Sequence, residues 1–418
     1  MPIDSGSPRW PLKKLTELGE LSRGRSRHRP RYAPHLYGGP YPFIQTGDVK
    51  ASGGRISSYH QTYSEAGLAQ SRLWPAGTLC ITIAANIAET GILDFPACFP
   101  DSIVGFVADS SVCNVRFVEY HFRGVRNQIQ FEASEGGTVQ DNINVATLDR
   151  LRIPIPEKRV QDALAEALGA FDDKIELNRR MNQTLESMAR AIFRSWFVDF
   201  DPVVAKAAGR QPFGMSAEVA AHFPDRFVES AIGPVPEGWQ LGRLDDLVVL
   251  QRGYDLPATQ RTPGIYPVLT AGGPTGTHCE FKVRGPGITT GRSGQLGAVY
   301  FVHEDFWPLN TSLYVKEFRA SSPLHAFFLL QTLDFDSFNA GSAVPTLNRN
   351  HVHNLPVVVP PEEILTQFNG FAEPLFSLSH NNEAESRTLA VLRDTLLPKL
   401  MSGELRVRDA GKLAGIHA

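Results

Sequence analysis

The chain has 418 residues, of which 42% are hydrophobic and 20% charged; this leaves room for two or three packed domains and excludes a largely disordered polymer. Its net charge of −3 excludes a protein that coats nucleic acid through overall positive charge, so any such contact must be local. No run of about 18 apolar residues and no apolar core within Met1–Arg9 occurs, and Cys80, Cys98, Cys113 and Cys279 form no CxxC pair, so the sequence predicts a cytoplasmic protein without membrane span, structural zinc or disulfide framework.

In chain order, residues 1–156 form a first globular segment, rich in Gly, Pro and aromatic residues. Short β-type runs such as Leu79–Ile83 and Ser102–Val107 alternate with turn signals such as Gly38-Gly39-Pro40. Residues 157–200 then change character: Val160, Leu164, Leu168, Phe171, Ile175, Met181, Leu185, Met188, Ile192 and Trp196 recur at steps of three and four, with a polar gap at Asn178. That period predicts one long helix. A linker, 201–235, leads to a second globular segment, 236–360, with β-type runs Ala298–Val302 and Val357–Val359. Residues 361–405 repeat the helical pattern through Leu365, Phe368, Phe371, Leu375, Leu378, Leu389, Leu392, Leu396 and Leu400, with a polar middle at Asn381, Asn382 and Glu385. Pro374 and Pro398 lie inside it and predict kinks or breaks. Ser402-Gly403 predicts its stop. Residues 406–418 form a tail.

The two globular segments are divergent copies of one module. Trp10-Pro11-Leu12-Lys13-Lys14-Leu15 matches Trp239-Gln240-Leu241-Gly242-Arg243-Leu244, and Arg23-Gly24 matches Arg252-Gly253, all at an offset of 229 (239 − 10). Tyr41-Pro42-Phe43-Ile44 resembles Tyr266-Pro267-Val268-Leu269 at 225 (266 − 41). Ile143-Asn144, Leu148, Leu151, Ile153, Ile155 and Pro156 match Leu347-Asn348, Val352, Leu355, Val357, Val359 and Pro360 at 204 (360 − 156). The falling offset means that the second copy lacks about 25 residues of loop or peripheral structure. The predicted fold class is α+β: two β-rich domains separated by two long antiparallel helices, in a tandem pseudo-repeat. The narrow seams suit helices packed on each other, with asparagines near the middle of each. Thirty-six residues of helix span roughly 54 Å, on the order of 15 base pairs of DNA.

Three stretches resemble the specificity subunits of type I restriction–modification systems. Ile175–Glu186 running on to Ala191–Pro202 resembles that family's central helical region, Gly233–Trp239 the start of its second recognition domain, and Leu392–Leu405 its distal helix end. The resemblance covers nearly the whole chain. It implies two target recognition domains that each read one half of a split site in double-stranded DNA. It also implies helices that separate the half-sites and dock partners, with Phe193, Trp196, Phe197, Leu396 and Leu400 as docking residues. The implied partners are two copies of a methyltransferase subunit and a motor-nuclease subunit. S-adenosylmethionine, ATP and Mg are expected in those partners and no cofactor in this chain, which is expected to be non-catalytic.

Within that reading, Arg23, Arg25, Arg27, Arg29 and Arg31 alternate with small and turn-forming residues, and a guanidinium fork fits phosphate or the O6/N7 edge of guanine. The second copy is poorer in charge here, with Arg252, Tyr254, Asp255 and Arg261. Gly291–Gly297 offers Arg292, Ser293 and Gln295; no Gly-Lys-Ser/Thr follows, which argues against an ATP loop. Its counterpart Ala85–Gly91 offers Asn86. Gly136–Gln140 and Gly341–Thr346 are polar loops before the matched segment ends, equally readable as turns. His351-Val352-His353 lacks a nearby third ligand and reads as ordinary surface histidine. No methyltransferase, Walker or nuclease motif is evident. The competing readings are a helical scaffold that does not read DNA, and a self-contained DNA nuclease.

Overall fold

The computed structural model describes residues 10–135, 143–338 and 345–405. They fall into two compact units, the chain passing from the first to the second after residue 176 and back after residue 384.

The first unit holds a five-stranded sheet. Its strands are β1 (Gly19–Arg23), β2 (Gly54–Ile56), β3 (Leu79–Thr82), β4 (Thr90–Leu93) and β5 (Ile103–Ala108), in the order β1-β5-β3-β4-β2. Helix α1 (Val115–Glu135) follows β5. The second unit holds β6 (Val248–Arg252), β7 (Gly287–Gly291), β8 (Val299–Val302) and β9 (Ser312–Phe318), in the order β6-β9-β7-β8. The shorter α3 (Pro323–Thr332) follows β9. Two long helices, α2 (Lys158–Phe197) and α4 (Glu362–Met401), each supply residues to both units.

Strand register shows the duplication pair by pair. Lys13 faces Ile153, and Gly242 faces Val357 in the same ribbon of the second unit. Arg23 faces Val104, and Arg252 faces Leu313. Thr82 faces Ile103, and Gly291 faces Ser312. Asn144 and Asn348, aligned by sequence, are both helix N-caps, accepting from the amides of Thr147 and Asn350. The surplus of the first copy falls mainly between β1 and β3, where the offset drops from 229 at Arg23/Arg252 to 209 at Thr82/Gly291.

The hydrophobic stripes of the long helices are divided between the two cores. In the first unit Leu164, Leu168, Leu397 and Leu400 pack with Leu79, Val104, Phe106 and Phe117. In the second, Phe193, Trp196 and Phe368 pack with Leu250, Ile288, Leu313 and Phe328. The helices run antiparallel in each unit. Asp172 meets Arg393 and Lys174 meets Glu385 in the first. In the second, the Asn178 amide donates to the Asn382 carbonyl at 3.3 Å, Asn182 donates to the Ser379 carbonyl at 3.1 Å, and Asn382 donates to Asn182 Oδ1 at 2.9 Å.

Leu164, Leu168, Phe171, Leu185 and Trp196 of the expected stripe are buried, but in the middle of the helices the seam steps aside from it. It runs through Asn178, which is fully buried, Asn182 and Ala189, while Met181 and Met188 point away and are exposed. On α4 it runs through Ala372, Ser379 and Asn382, leaving Phe371, Leu378 and Leu392 exposed. The expected polar gap at Asn178 is therefore a buried hydrogen-bonded layer, which costs stability and favours a single helix register. The kinks or breaks expected at Pro374 and Pro398 are corrected in one respect: α4 continues as helix through both prolines. It ends at Met401, and Gly403 takes a left-handed φ of 74°, as the Ser402-Gly403 signal predicts.

Candidate nucleic-acid interface

Strand polarity gathers the candidate loops. In the first unit β1 and β3 both flank β5 antiparallel, so the segments leaving β1 and β3 and the turn entering β5 lie at one end of the sheet. The Gly24 amide donates to the Ile103 carbonyl at 2.9 Å, Arg25 to the Phe99 carbonyl at 3.1 Å, and Ile83 to the Ser102 carbonyl at 3.0 Å. The second unit repeats each bond: Gly253 to Ser312 at 3.1 Å, Tyr254 to Pro308 at 2.8 Å, and Arg292 to Thr311 at 2.8 Å. A Cβ on Gly24 would strike the Pro100 carbonyl oxygen, and one on Gly253 the Leu309 carbonyl oxygen. The Arg-Gly dipeptide common to both copies is thus a close backbone approach that only glycine permits.

Side chains on this shared frame differ. Arg25, Ser26 and Arg27 occupy the places of Tyr254, Asp255 and Leu256. Arg25 and Arg27 are exposed and make no ion pair or side-chain hydrogen bond among the described residues. Their neighbours are engaged within the protein. Arg23 donates to the Asp101 carbonyl. Arg29 donates to the carbonyls of Ser26 at 2.7 Å and His28 at 2.9 Å. Arg31 donates to both carboxylate oxygens of Asp101 at 2.8 Å. The five arginines are therefore not equivalent: Arg31 is neutralised in place, and Arg25 and Arg27 are the ones left for an outside anion.

The hairpin loops between β3 and β4 and between β7 and β8 also share a frame. Ala85 and Ala88 take positive φ (64° and 60°), where the second copy has Gly294 (94°) and Gly297 (82°). Alanine in this conformation is strained by about 1–2 kcal/mol. Replacing exposed Ala85 by Gly is expected to raise unfolding stability by roughly 0.5–1 kcal/mol after the added freedom of the unfolded glycine; a lowered denaturant midpoint would contradict this. Asn86 accepts from Lys50 Nζ at 3.3 Å, a partner that the sequence reading missed. Gln295 is exposed. Arg292 Nη1 donates to the Asn310 carbonyl at 3.2 Å, and Ser293 pairs with Thr346 in an isolated bridge. Arg252 stands 3.8 Å from Asp255. Lys50, Asp101 and Asn310 join the site only through strand pairing, which sets Asp101 and Asn310 in register at an offset of 209 that the sequence offsets of 229, 225 and 204 did not give.

The residues expected to dock partners lie in or against the two cores. Phe193 and Trp196 are buried in the core of the second unit. Phe197, half-buried, packs against Trp239, His325 and Phe368. Leu400 is buried and Leu396 half-buried in the first core. Large apolar side chains on a helical period fill the nearest core first. His353 Nε2 accepts the Leu250 amide at 2.9 Å, which gives that histidine a structural role. Gly136–Gln140 and Gly341–Val344 lie outside the described residues.

Close to the same core, His325 is buried with Nδ1 2.8 Å from Ser321 Oγ, and burial pushes its pKa down to about 3. The neutral ring therefore contributes stability that is complete above the unfolded pKa of about 6.5 and is lost as pH falls towards 3. Between those limits the second unit is expected to lose up to about 1.4 kcal/mol per pH unit from this group. Comparing pH–stability curves of the native chain and His325→Gln checks it: parallel curves would contradict the assignment.

The family described as "Type I restriction modification DNA specificity domain" matches residues 9–187 and 236–385. The chain therefore belongs to the type I restriction–modification DNA specificity family, and carries its specificity domain twice. It is 25% identical over 433 aligned positions to the type I restriction enzyme MjaIX specificity subunit of Methanocaldococcus jannaschii, covering 96% of this chain and 94% of that one. It is 26% identical to the HindI specificity subunit of Haemophilus influenzae, over 65% of this chain and 72% of that one. The fold is that of the type I S subunit crystal structure from M. genitalium: TM-score 0.54, 17% identity, with 96% of this chain and 98% of that one covered. No described helix is long and apolar enough to cross a membrane.

Proposed function

We propose that the chain is the non-catalytic specificity subunit of a type I restriction–modification complex. Each unit reads one half of a two-part site in double-stranded DNA through the loops at its sheet end. The observation that carries this reading is the pair of turns with the same backbone hydrogen bonds and different side chains. Two readers of different half-sites need a common frame and divergent contacts. Methylation and cleavage fall to partners, a methyltransferase present twice and a motor-nuclease, which would hold S-adenosylmethionine, ATP and Mg.

Docking falls to the exposed apolar face of the long helices rather than to their seam. Leu177, Met181 and Met188 share one face of α2 at helical spacing, and are 52%, 36% and 49% exposed. Phe371 and Leu378 on α4 are each 44% exposed. Apolar side chains in such a row suit helices of a partner.

Exchanging residues 23–36 for the corresponding stretch of a relative with another specificity, then sequencing the methylome of cells carrying the complex, tests the proposal. One half of the methylated site should change and the other persist. An unchanged site would overturn the reading, and partner assembly without any sequence dependence would favour the scaffold.

A further inference from the structure

In the second unit the acidic side chain of Asp255 stands at the sheet end. Asp255 is 73% exposed, one residue after Tyr254. Its surroundings are built. The Tyr254 amide donates to the Pro308 carbonyl at 2.8 Å, and its hydroxyl lies 3.0 Å from that of Tyr314. The Asn310 side-chain amide donates to Asp255 Oδ1, and Arg252 Nη2 lies 3.8 Å from the same oxygen. Arg292 in turn donates to the Asn310 carbonyl. The cluster ties together the segment leaving β6, the turn entering β9 and the loop after β7. In the first unit this position is Ser26, buried and 3.5 Å from the Tyr63 hydroxyl. The carboxylate therefore belongs to the second reader and not to the common frame.

A carboxylate is acceptor-only and cannot approach phosphate favourably. In a DNA groove its partners are exposed amino groups: N4 of cytosine or N6 of adenine. Asn310 engages one of its oxygens, and the exposure of the group leaves further acceptor positions open. We propose that Asp255 is a specificity-determining residue of the second unit: its carboxylate accepts a hydrogen bond from a base-edge amino group in the major groove and turns phosphate away. This rests on the reading that the sheet end faces DNA.

The test is selection from a pool of randomised duplexes by the full chain together with its co-purifying subunits, for the native protein, D255A and the near-isosteric D255N, with melting curves for each. The expected result is a two-part motif for the native chain. In D255A the preference for cytosine or adenine at one position of one half should fall roughly tenfold or more, with the other half unchanged and weak binding to unrelated DNA increased. D255N, which keeps one acceptor oxygen, should fall between. An unchanged motif in folded D255A overturns the inference and leaves the proposed function standing. So does tighter overall binding without loss of preference, because that outcome reduces Asp255 to charge repulsion. A native chain that selects no two-part motif overturns both. If D255A fails to fold, D255N decides alone, by the same criterion at the same position.

Discussion

Replacing Arg25 and Arg27 together by alanine is expected to weaken DNA binding by about 1–3 kcal/mol per guanidinium, and so by at least on the order of thirtyfold for the pair. The loss should concern one half-site only. If both heads lie on phosphate, the slope of log K against log salt falls by about 0.9 for each, and sequence preference survives. If either is bidentate on guanine, one position in that half loses its preference. The control is Arg31→Ala. Arg31 is held by Asp101, so its removal should perturb the loop and leave the salt slope nearly intact. Salt titrations of the assembled complex on a duplex with the native site separate these outcomes. An equal fall in slope for Arg31→Ala would mean that the Asp101 pair opens on DNA. The second unit is expected to depend less on salt, because Arg252 has Asp255 beside it.

Phe193→Ala should be the most damaging single truncation in the second unit. Phe193 is 2% exposed, and its ring centroid lies 5.3 Å from Phe197, 5.6 Å from His325 and Phe328, and 6.0 Å from Phe368. Removing the ring forfeits its buried area and leaves a cavity that aromatic neighbours cannot fill, at a cost of about 3–5 kcal/mol. That is comparable with the stability of a typical domain. Denaturant unfolding should show an early transition for the second unit. Met188→Ser, on the outward face of the same helix, should change stability by no more than about 0.5 kcal/mol and yet weaken capture of the methyltransferase subunit. Native stability of Phe193→Ala with lost partner binding would return that ring to the interface.

Much of the organisation was legible beforehand because it is written locally. Trp10 with Trp239, Arg23-Gly24 with Arg252-Gly253, and Asn144 with Asn348 mark the duplication, and the paired asparagines proved to be helix caps. Only the middle of the seam departs from the expected stripe, because apolar residues populate two adjacent helix faces there. Met181 and Met188 are as apolar as the buried Leu185 and Ala189, while Asn178 and Asn182 argue against burial by their chemistry alone. Only a partner helix that offers the Asn382 and Ser379 carbonyls makes their burial affordable.

The amino-acid sequence by itself determined the two copies, the two long helices, the stop at Gly403 and the region in which each candidate loop lies. Periodicity, capping and left-handed glycine act over a few residues, so they need no distant partner. The tertiary structure decided which of these side chains are engaged within the protein and which stay exposed. Arg31 is taken by a carboxylate 70 positions along the chain, while Arg25 and Arg27 are not. The aromatic cluster around Trp196 is drawn inside, which leaves Met181 and Met188 outside. These choices depend on strand pairing and on competition among apolar faces for a limited core, and both arise only when distant segments meet.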